Sequence, residues 1–214
     1  MRGFYLTAIL LLTAEPASAM GKHHPLMAHF QRQHTDSACS VASIANVVNA
    51  LRAAAPPISP EALLTLVGDS HWIAATAMGS DGVSFAEIQL YLRQSLDRLG
   101  LTDARVEIFR PRPDDESLDH LRRLLSHRQG TELVLASFDQ GWLLGEASVG
   151  HVSPLGDYDA ERRQVQILDV DPEHPTPYWV SDQDLLAAMT RASDDPTGDG
   201  LIIVRPGHII RSVN

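Results

Sequence analysis

The sequence contains a single cysteine, Cys39, at the point where a loop is predicted to enter an amphipathic helix. A thiol at a helix N-terminus lies near unpaired backbone N–H groups and the positive end of the helix dipole, and both favour the thiolate. Cys39 is therefore a candidate nucleophile. A free cysteine is also commonly a small buried apolar residue, so this interpretation depends on partners elsewhere in the chain.

Two candidate partners are predicted to lie on an antiparallel hairpin. Its extended segments are 149–158 and 163–170, and its polar turn is 159–162. If the hairpin is centred on Ala160, His151 faces Asp169, and directly opposed residues have Cβ atoms about 4.5–5.5 Å apart. The carboxylate could then fix the tautomer of the imidazole and stabilise its cation. A bulge would shift the register and make Asp171 the alternative.

These residue types match cysteine protease chemistry, which requires a thiolate, a histidine that transfers a proton, a group that orients the histidine, and oxyanion donors. Cys39, His151 and Asp169 supply the first three in the chain order of papain. Gln33 could offer its side-chain amide to the oxyanion beside the backbone N–H of Cys39. Alternatively, Gln33 is a loop residue that bonds only local backbone.

The rest of the pattern predicts the elements that position these residues. Apolar residues at helical spacing predict a helix over 41–51 that starts near Cys39, and capping signals at Ser59 and Ser84 open two more helices. Further helices are predicted over 115–126 and 181–190, and further strands over 104–109, 132–138 and 201–204. Because helices come early and antiparallel strands late, we predict an α+β fold in which the nucleophile helix packs on the sheet.

The N-terminus has the pattern of a secretory signal peptide, with a basic start, a short apolar run over 4–13 and a small-x-small site ending at Ala19. The apolar run is too short to anchor the chain in a bilayer. We expect cleavage after Ala19, so that residues 20–214 form one exported domain, periplasmic or extracellular, with no membrane contact. A single cysteine forms no internal disulfide, and an unpaired thiol in an oxidising compartment requires a reason.

Charge and histidine content limit the possible partners. The formal net charge of −10 disfavours nucleic acid and anionic membrane surfaces. Residues 21–29 contain three histidines and are expected to form a mobile arm. A non-enzymatic alternative would use Cys39 and these histidines to bind metal. However, closely spaced ligand patterns such as His-x-x-x-His do not recur beyond the arm, so no protein metal site is expected.

Several segments resemble, in the correct order and over nearly the whole predicted mature chain, the catalytic domain of phytochelatin synthases and their shorter bacterial relatives. They are 30–33 with Cys39, 47–51, 82–85, 106–110, 150–162, 167–170, 178–180 and 203–206. The resemblance implies a papain-like fold and cleavage of the Cys–Gly bond of glutathione through a γ-glutamylcysteinyl thioester. In the synthases a second glutathione or a phytochelatin accepts the acyl group, and in many short relatives water does so more readily.

The resemblance also implies residue roles. Cys39 corresponds to the nucleophile, His151 to the base, Asp169 to the orienting carboxylate and Gln33 to the oxyanion donor. Gly150 would lend backbone to the bound acyl group. No cofactor is implied, and cadmium or zinc would act as a metal thiolate of the substrate, because the chain lacks a cysteine-rich region.

The chain departs from the family pattern near both halves of the site. Ala38 and Ser40 replace an aromatic residue and a glycine beside the nucleophile, which is expected to reshape the pocket floor. A basic residue that the family places shortly after the aspartate, where it would meet a substrate carboxylate, is replaced within 169–174. These changes leave open a second interpretation, in which the substrate is another γ-glutamyl or small peptide amide.

Overall fold

The structure is a computed structural model that describes residues 24–52, 55–127, 131–191 and 198–207. The predicted signal peptide lies outside these residues. After a short 3-10 helix, Pro25–Met27, the elements follow in this order: α1 (Cys39–Leu51), α2 (Pro60–Val67), α3 (Ser70–Ala75), α4 (Phe85–Arg98), β1 (Arg105–Phe109), α5 (Asp115–Ser126), β2 (Leu133–Asp139), α6 (Gln140–Leu144), β3 (Gly150–Asp159), β4 (Gln164–Ile167), β5 (Tyr178–Ser181), α7 (Asp182–Thr190) and β6 (Gly200–Arg205).

The strands form one six-stranded sheet in the order β1-β6-β2-β3-β4-β5, and every neighbouring pair is antiparallel. Within the described residues, four α-helices precede the first strand, so the predicted α+β class is confirmed at this level. Strand β2 is buried along its whole length because helices cover both faces of the sheet. Leu133 and Leu135 face the core that contains α1 and α4, whereas Val134, Ala136 and Phe138 face the core that contains α5 and α7.

Helix α1 is buried along most of its length, and its two asparagines are bonded to neighbouring loops. The Asn46 side chain accepts from the Gln31 N–H (2.7 Å) and donates to the Gln31 carbonyl (2.8 Å). Asn49 makes the same pair of bonds with the backbone of Ile58, at 2.8 and 2.9 Å. Buried amides need such partners. Asn46 therefore fixes the segment that leads into Cys39.

Local capping explains where the other early helices begin. Ser59 caps α2 and is followed by a proline in the first turn, and Ser84 with Glu87 forms a complete capping box at the start of α4. These predicted helix starts are confirmed. The structure also contains α3, α6 and β5, which the sequence pattern did not predict as separate elements.

The hairpin exists, but the predicted register is wrong. Asp159 pairs with Gln164, so the turn is centred between Glu161 and Arg162 rather than on Ala160. A register shift follows between Leu155 and Tyr158. Such irregularities bend a strand and change which residues face each other. Strand β4 also ends at Ile167, which places the following residues beyond the ladder.

The predicted N-terminal arm is wrong from His24 onward, whereas residues 21–23 lie outside the described chain. Leu26, in the 3-10 helix, is only 1% exposed and belongs to the core beside α1. Burial of a leucine side chain stabilises a segment by roughly 1.5–3 kcal/mol. Among the described residues, no helix combines the length and apolar character that crossing a membrane would require.

Candidate active site

Cys39 is the first residue of α1 and lines a cavity of about 580 Å³. The N-cap residue, Ala38, provides no side-chain hydrogen bond to the helix. Instead, the backbone N–H groups of Ser40 and Val152 interact with the sulfur and stabilise its negative charge. A cavity of this size is in the range that holds small organic ligands. The thiol therefore faces a space that a short peptide could enter.

His151 lies on β3 and is 6% exposed. Its Nε2 is 2.8 Å from Asp169 Oδ1 and 2.8 Å from Ser153 Oγ. Because Nε2 is engaged on that side, Nδ1 is the nitrogen that serves the hydrogen bond between the imidazole and the Cys39 thiol. The ring also packs edge-on against Phe138, with centroids 5.9 Å apart. These contacts fix the orientation of the imidazole on both edges.

Helix α1 and strand β3 are joined directly beside the thiol and the imidazole. The buried Ser43 hydroxyl donates to the Val152 carbonyl at 2.8 Å. Ser43 lies one turn after Cys39, and Val152 is the neighbour of His151. This bond therefore fixes the helix that carries the nucleophile against the strand that carries the base.

Asp169 is 2% exposed, and donors surround both of its oxygens. In addition to the His151 bond, Oδ1 accepts from the Asp171 backbone N–H (2.9 Å) and from the Ser153 hydroxyl (3.3 Å). Oδ2 accepts from Gln140 Nε2 (2.8 Å) and from the Tyr178 hydroxyl (2.7 Å). A buried carboxylate with this many donors is held ionised in one orientation.

The predicted His151–Asp169 contact is present although the predicted register is not. Beyond the shift in β3 and the end of β4, the chain continues beside β3, and the Leu168 N–H bonds the Pro154 carbonyl at 2.9 Å. Asp169 therefore reaches the imidazole from a non-ladder segment. Asp171, the alternative residue, contributes its backbone N–H, while its carboxylate accepts from the Glu173 N–H.

The three groups shift one another's pKa values. Burial raises the pKa of the Cys39 thiol, but the hydrogen bond and charge of His151 outweigh it, and the pKa lies below its usual range. Burial likewise opposes the charged form of His151, but bonds to Asp169 and Cys39 raise its pKa to about 10. Burial would raise the pKa of the Asp169 carboxyl, but His151 and the other donors outweigh this effect and hold the pKa far below its usual value. The site thus favours a thiolate beside an imidazolium.

Gln33 lies in the loop before α1 and is buried, and its backbone N–H donates to the Val170 carbonyl at 2.9 Å. Its side-chain Nε2 is 3.5 Å from the Asp36 carbonyl, and Oε1 is buried with no hydrogen-bond partner. The side chain does not line the cavity. The structure therefore places Gln33 next to the segment that carries Asp169 and leaves its amide weakly engaged.

Gly150 lines the cavity directly before His151, and a side chain added there would meet no atom within 4 Å. The residues that flank Cys39 behave differently. Ala38 and Ser40 are buried and do not line the cavity, so they do not form its floor. The Ser40 hydroxyl instead accepts from Trp72 Nε1 at 3.0 Å and connects α1 to α3.

Three side chains at the site were missed by sequence reasoning: Ser153, Gln140 and Tyr178. Ser153 lies two residues after His151 on the same strand and therefore on the same face, a signal that was present in the sequence. Gln140 begins a five-residue helix, and Tyr178 opens the short strand β5. Their contact with Asp169 depends on tertiary structure, so no local pattern could have identified them.

The cavity wall is acidic. Of the described residues that line it, three are aspartates, Asp81, Asp139 and Asp199, and Arg191 is the only arginine or lysine. Arg191 Nε is 3.2 Å from Asp139 Oδ2, so its charge is already paired. Within the described part of the chain, no group of three or more His, Cys, Asp or Glu side chains is placed to hold a metal ion.

A thiol paired with a carboxylate-bound imidazole at the wall of a cavity is the arrangement that cysteine-dependent acyl-transfer proteins use. Comparison with known proteins gives the particular family. The family model described as phytochelatin synthase matches residues 7–200, and the chain therefore belongs to the phytochelatin synthase family.

Individual relatives are distant in sequence. The chain is 27% identical over 195 residues to glutathione gamma-glutamylcysteinyltransferase 1 of Arabidopsis thaliana, which covers 85% of the chain and 36% of that protein. It is 26% identical over 211 residues to the Lotus japonicus protein of the same name, with coverages of 92% and 38%. The chain is 27% identical over 184 residues to the Triticum aestivum protein of that name, and this match covers 81% of the chain and 33% of that protein. The chain thus spans less than two-fifths of the length of these relatives.

Proposed function

We propose that this protein is a papain-like cysteine enzyme that cleaves the Cys–Gly amide bond of glutathione. The observation that carries the proposal is the bonded series Cys39, His151 and Asp169 at the wall of a cavity that fits a tripeptide. The names of the relatives, glutathione gamma-glutamylcysteinyltransferases, support the choice of glutathione.

In the first step, the Cys39 thiolate attacks the carbonyl carbon of the Cys–Gly bond, and a tetrahedral oxyanion forms. The imidazolium of His151 gives its Nδ1 proton to the glycine nitrogen, the C–N bond breaks, and glycine leaves. A γ-glutamylcysteinyl thioester remains on Cys39. Asp169 stays ionised throughout and stabilises the imidazolium from Nε2.

In the second step, His151 accepts a proton from water as the water oxygen attacks the thioester carbonyl. Collapse of this second tetrahedral state expels the Cys39 thiolate and releases γ-glutamylcysteine, which restores the thiolate–imidazolium pair. The overall reaction consumes one water and breaks one amide bond.

Oxyanion stabilisation is assigned to the backbone N–H of Cys39 and the side-chain amide of Gln33. A hydrogen bond of 3.5 Å, such as the one from Gln33 to the Asp36 carbonyl, is weak, so its loss costs little when the amide turns to the oxyanion. An oxyanion donor acts mainly on the charged tetrahedral state. Gly150 leaves the space beside His151 open for the acyl group.

Water is proposed as the main acceptor of the acyl group. Each glutathione carries net negative charge at neutral pH, so the excess negative charge of the wall, Asp81, Asp139 and Asp199 against Arg191, disfavours each binding event. Transfer needs two such binding events, whereas hydrolysis needs one. Transfer to phytochelatin should therefore appear only at high glutathione. Cadmium or zinc would promote transfer only as a metal thiolate of the substrate. No cofactor is assigned to the protein.

The same acidic wall favours a second candidate substrate, a γ-glutamyl or small peptide whose leaving group is neutral or cationic. Comparison of glutathione with its glycine amide separates the two candidates, because the analogue lacks one carboxylate but keeps the scissile bond. A kcat/KM for glutathione at least equal to that for the amide supports glutathione. A preference of more than about tenfold for the amide, which corresponds to about 1.4 kcal/mol, would favour the second candidate.

Replacement of Cys39 by serine tests the proposed chemistry. The hydroxyl is a much poorer nucleophile than a thiolate of lowered pKa, so Cys39→Ser should remove glycine release while the protein remains folded. The assay is quantification of free glycine, with circular dichroism as the control for folding. Activity within about tenfold of wild type would contradict a thiolate mechanism, because that loss is only about 1.4 kcal/mol.

Export completes the proposal and rests on the N-terminal sequence pattern alone. Expression of the full chain with fractionation of the bacterial cell should give a product in the periplasm or medium whose first residue is Met20. A cytoplasmic product that retains Met1 would contradict export.

A further inference from the structure

Arg32 connects the segment that leads to the nucleophile with the segment that carries the orienting carboxylate. Its Nη1 lies 3.0, 2.9 and 3.3 Å from the carbonyl oxygens of Asp169, Asp171 and His174. Its Nη2 donates to the Pro175 carbonyl at 2.6 Å. One guanidinium thus serves four carbonyl groups of a single stretch of chain.

That stretch needs donors from outside itself. It leaves the sheet when β4 ends at Ile167 and rejoins it when β5 begins at Tyr178, so its carbonyl groups have no strand partner. The Asp171 carbonyl accepts from the His174 N–H at 3.2 Å within the stretch, whereas the Asp169 carbonyl takes its donor from Arg32. Unpaired backbone carbonyls in a partly buried segment are costly. A guanidinium suits this task because its five N–H groups are fixed in one plane, whereas a lysine ammonium is a single point donor.

The same stretch determines the environment of Asp169. Asp169 lies at its start, and Tyr178, which donates to Oδ2, directly follows its end. The Gln33 N–H, next to Arg32 in sequence, adds a fifth backbone contact through the Val170 carbonyl at 2.9 Å. Arg32 and Gln33, which precede the nucleophile in the chain, therefore hold both the shape of the loop and the direction of the Asp169 carboxylate.

We propose that Arg32 is a positioning residue that holds Asp169 against His151 and thereby maintains the reactive thiolate. Arg32 does not contact the reacting atoms. Its effect on turnover rests on the proposed function, but its effect on Cys39 does not, because thiol reactivity can be measured without any substrate.

The experiment compares the pH dependence of Cys39 alkylation by iodoacetamide in wild type, Arg32→Met and Arg32→Lys. Methionine keeps an unbranched side chain but has no donors, whereas lysine keeps the charge and loses the planar arrangement. Arg112→Met is the matched control, because Arg112 is exposed and, among the described residues, its side chain forms ion pairs with Asp114 and Glu116 alone.

No variant changes the charges that face the thiol across the cavity, which are His151 and the wall residues Asp81, Asp139, Asp199 and Arg191. Arg32→Met removes one positive charge and Arg32→Lys keeps it, so a shift that both variants show reports the His151–Asp169 contact and not the lost charge. In Arg32→Met the apparent pKa of the thiol should rise by about one unit or more, a tenfold change in thiolate population below that pKa. Arg32→Lys should shift in the same direction by less, and Arg112→Met should match wild type.

Glycine release from glutathione is the second readout. In Arg32→Met, kcat should fall about tenfold while KM stays within about threefold, because the substrate contacts are intact. A folded Arg32→Met protein with the wild-type alkylation profile would overturn the proposal. If Arg32→Met does not fold, Arg32→Lys decides: a raised thiol pKa supports the positioning role, and an unchanged profile overturns it.

These readouts separate failure of the two proposals. Wild-type protein that releases no glycine refutes glutathione cleavage, but the alkylation profiles still decide the role of Arg32. Conversely, the wild type could release glycine while Arg32→Met keeps the normal alkylation profile. That pair of results refutes only the positioning role.

Discussion

Replacement of Asp169 by asparagine tests how the carboxylate acts. The Asn oxygen must take the place of Oδ1, because the Asp171 N–H and the Ser153 hydroxyl both point there together with His151 Nε2. The new amide N–H groups then face Tyr178 and Gln140. The Tyr hydroxyl can accept, and the Gln amide can turn its oxygen inward, so Asp169→Asn should fold and keep the His151 bond.

Asp169→Asn therefore removes a charge but keeps the hydrogen bond to His151. A hydrogen bond to a charged partner contributes about 1.5–3 kcal/mol, compared with about 0.5–1.5 for a neutral one. Their difference of about 1–1.5 kcal/mol lowers kcat by roughly 5- to 13-fold at about 1.4 kcal/mol per decade. Without the carboxylate, the imidazolium is less stable and the pKa of His151 falls from about 10, while the pKa of Cys39 rises.

The sign of both shifts predicts a narrower pH range for the reactive pair. The thiolate–imidazolium form exists above the pKa of Cys39 and below that of His151, so Asp169→Asn should lose glycine release at both limits. Alkylation needs only the thiolate and should therefore fall at the acidic limit alone. The assay is iodoacetamide alkylation and glycine release across pH, with Asp171→Asn as the matched control. Asp171 acts on the site through its backbone N–H, so its variant should stay within about threefold of wild type. A larger loss in Asp171→Asn than in Asp169→Asn would refute the assignment of the carboxylate.

Three further variants test the oxyanion donor, an ion pair with a buried carboxylate, and a close backbone contact before the start of β3. Gln33→Ala should lower kcat roughly 100-fold with little change in KM, and a pure KM effect would contradict an oxyanion role. Asp182→Ala removes the buried carboxylate that pairs with the partly exposed guanidinium of Arg122 at 2.9 and 3.1 Å, while Asp119 remains near Arg122 at 3.7 Å; denaturant unfolding should show a loss of about 1.5–3 kcal/mol, and less than about 0.5 kcal/mol would refute this. Gly141→Ala places a Cβ against the Ala147 carbonyl, so thermal melting should show a lower Tm and glycine release should fall, whereas wild-type values for both would contradict the close approach.

Much of the fold is encoded in local signals. The capping box at Ser84 and the spacing from Val41 to Leu51 are properties of single helices, and both predicted helices are present. The hairpin register is different, because it depends on an irregularity between Leu155 and Tyr158. The prediction was already wrong at the turn, whose centre lies between Glu161 and Arg162 and not on Ala160, and no local signal in the sequence shows where the further shift occurs.

The candidate site divides in the same way. Cys39 could be identified from its position at a helix start, and His151 with Asp169 from a hairpin whose two arms were correctly recognised. The residues that complete the carboxylate environment, Gln140 and Tyr178, come from a short helix and a short strand that the sequence pattern did not predict. Tertiary contacts alone bring them to Asp169.

The most direct test of the central claim is the intact mass of the protein after brief incubation with glutathione. The protein should carry a covalent adduct with the mass of one γ-glutamylcysteinyl group. Hydroxylamine should remove this adduct, a phosphine reductant should not, and Cys39→Ser should lack it. A mixed disulfide with whole glutathione would show the opposite behaviour toward the two reagents. Wild-type protein that shows only the mixed disulfide, or no adduct and no released glycine, would contradict a thioester mechanism on glutathione.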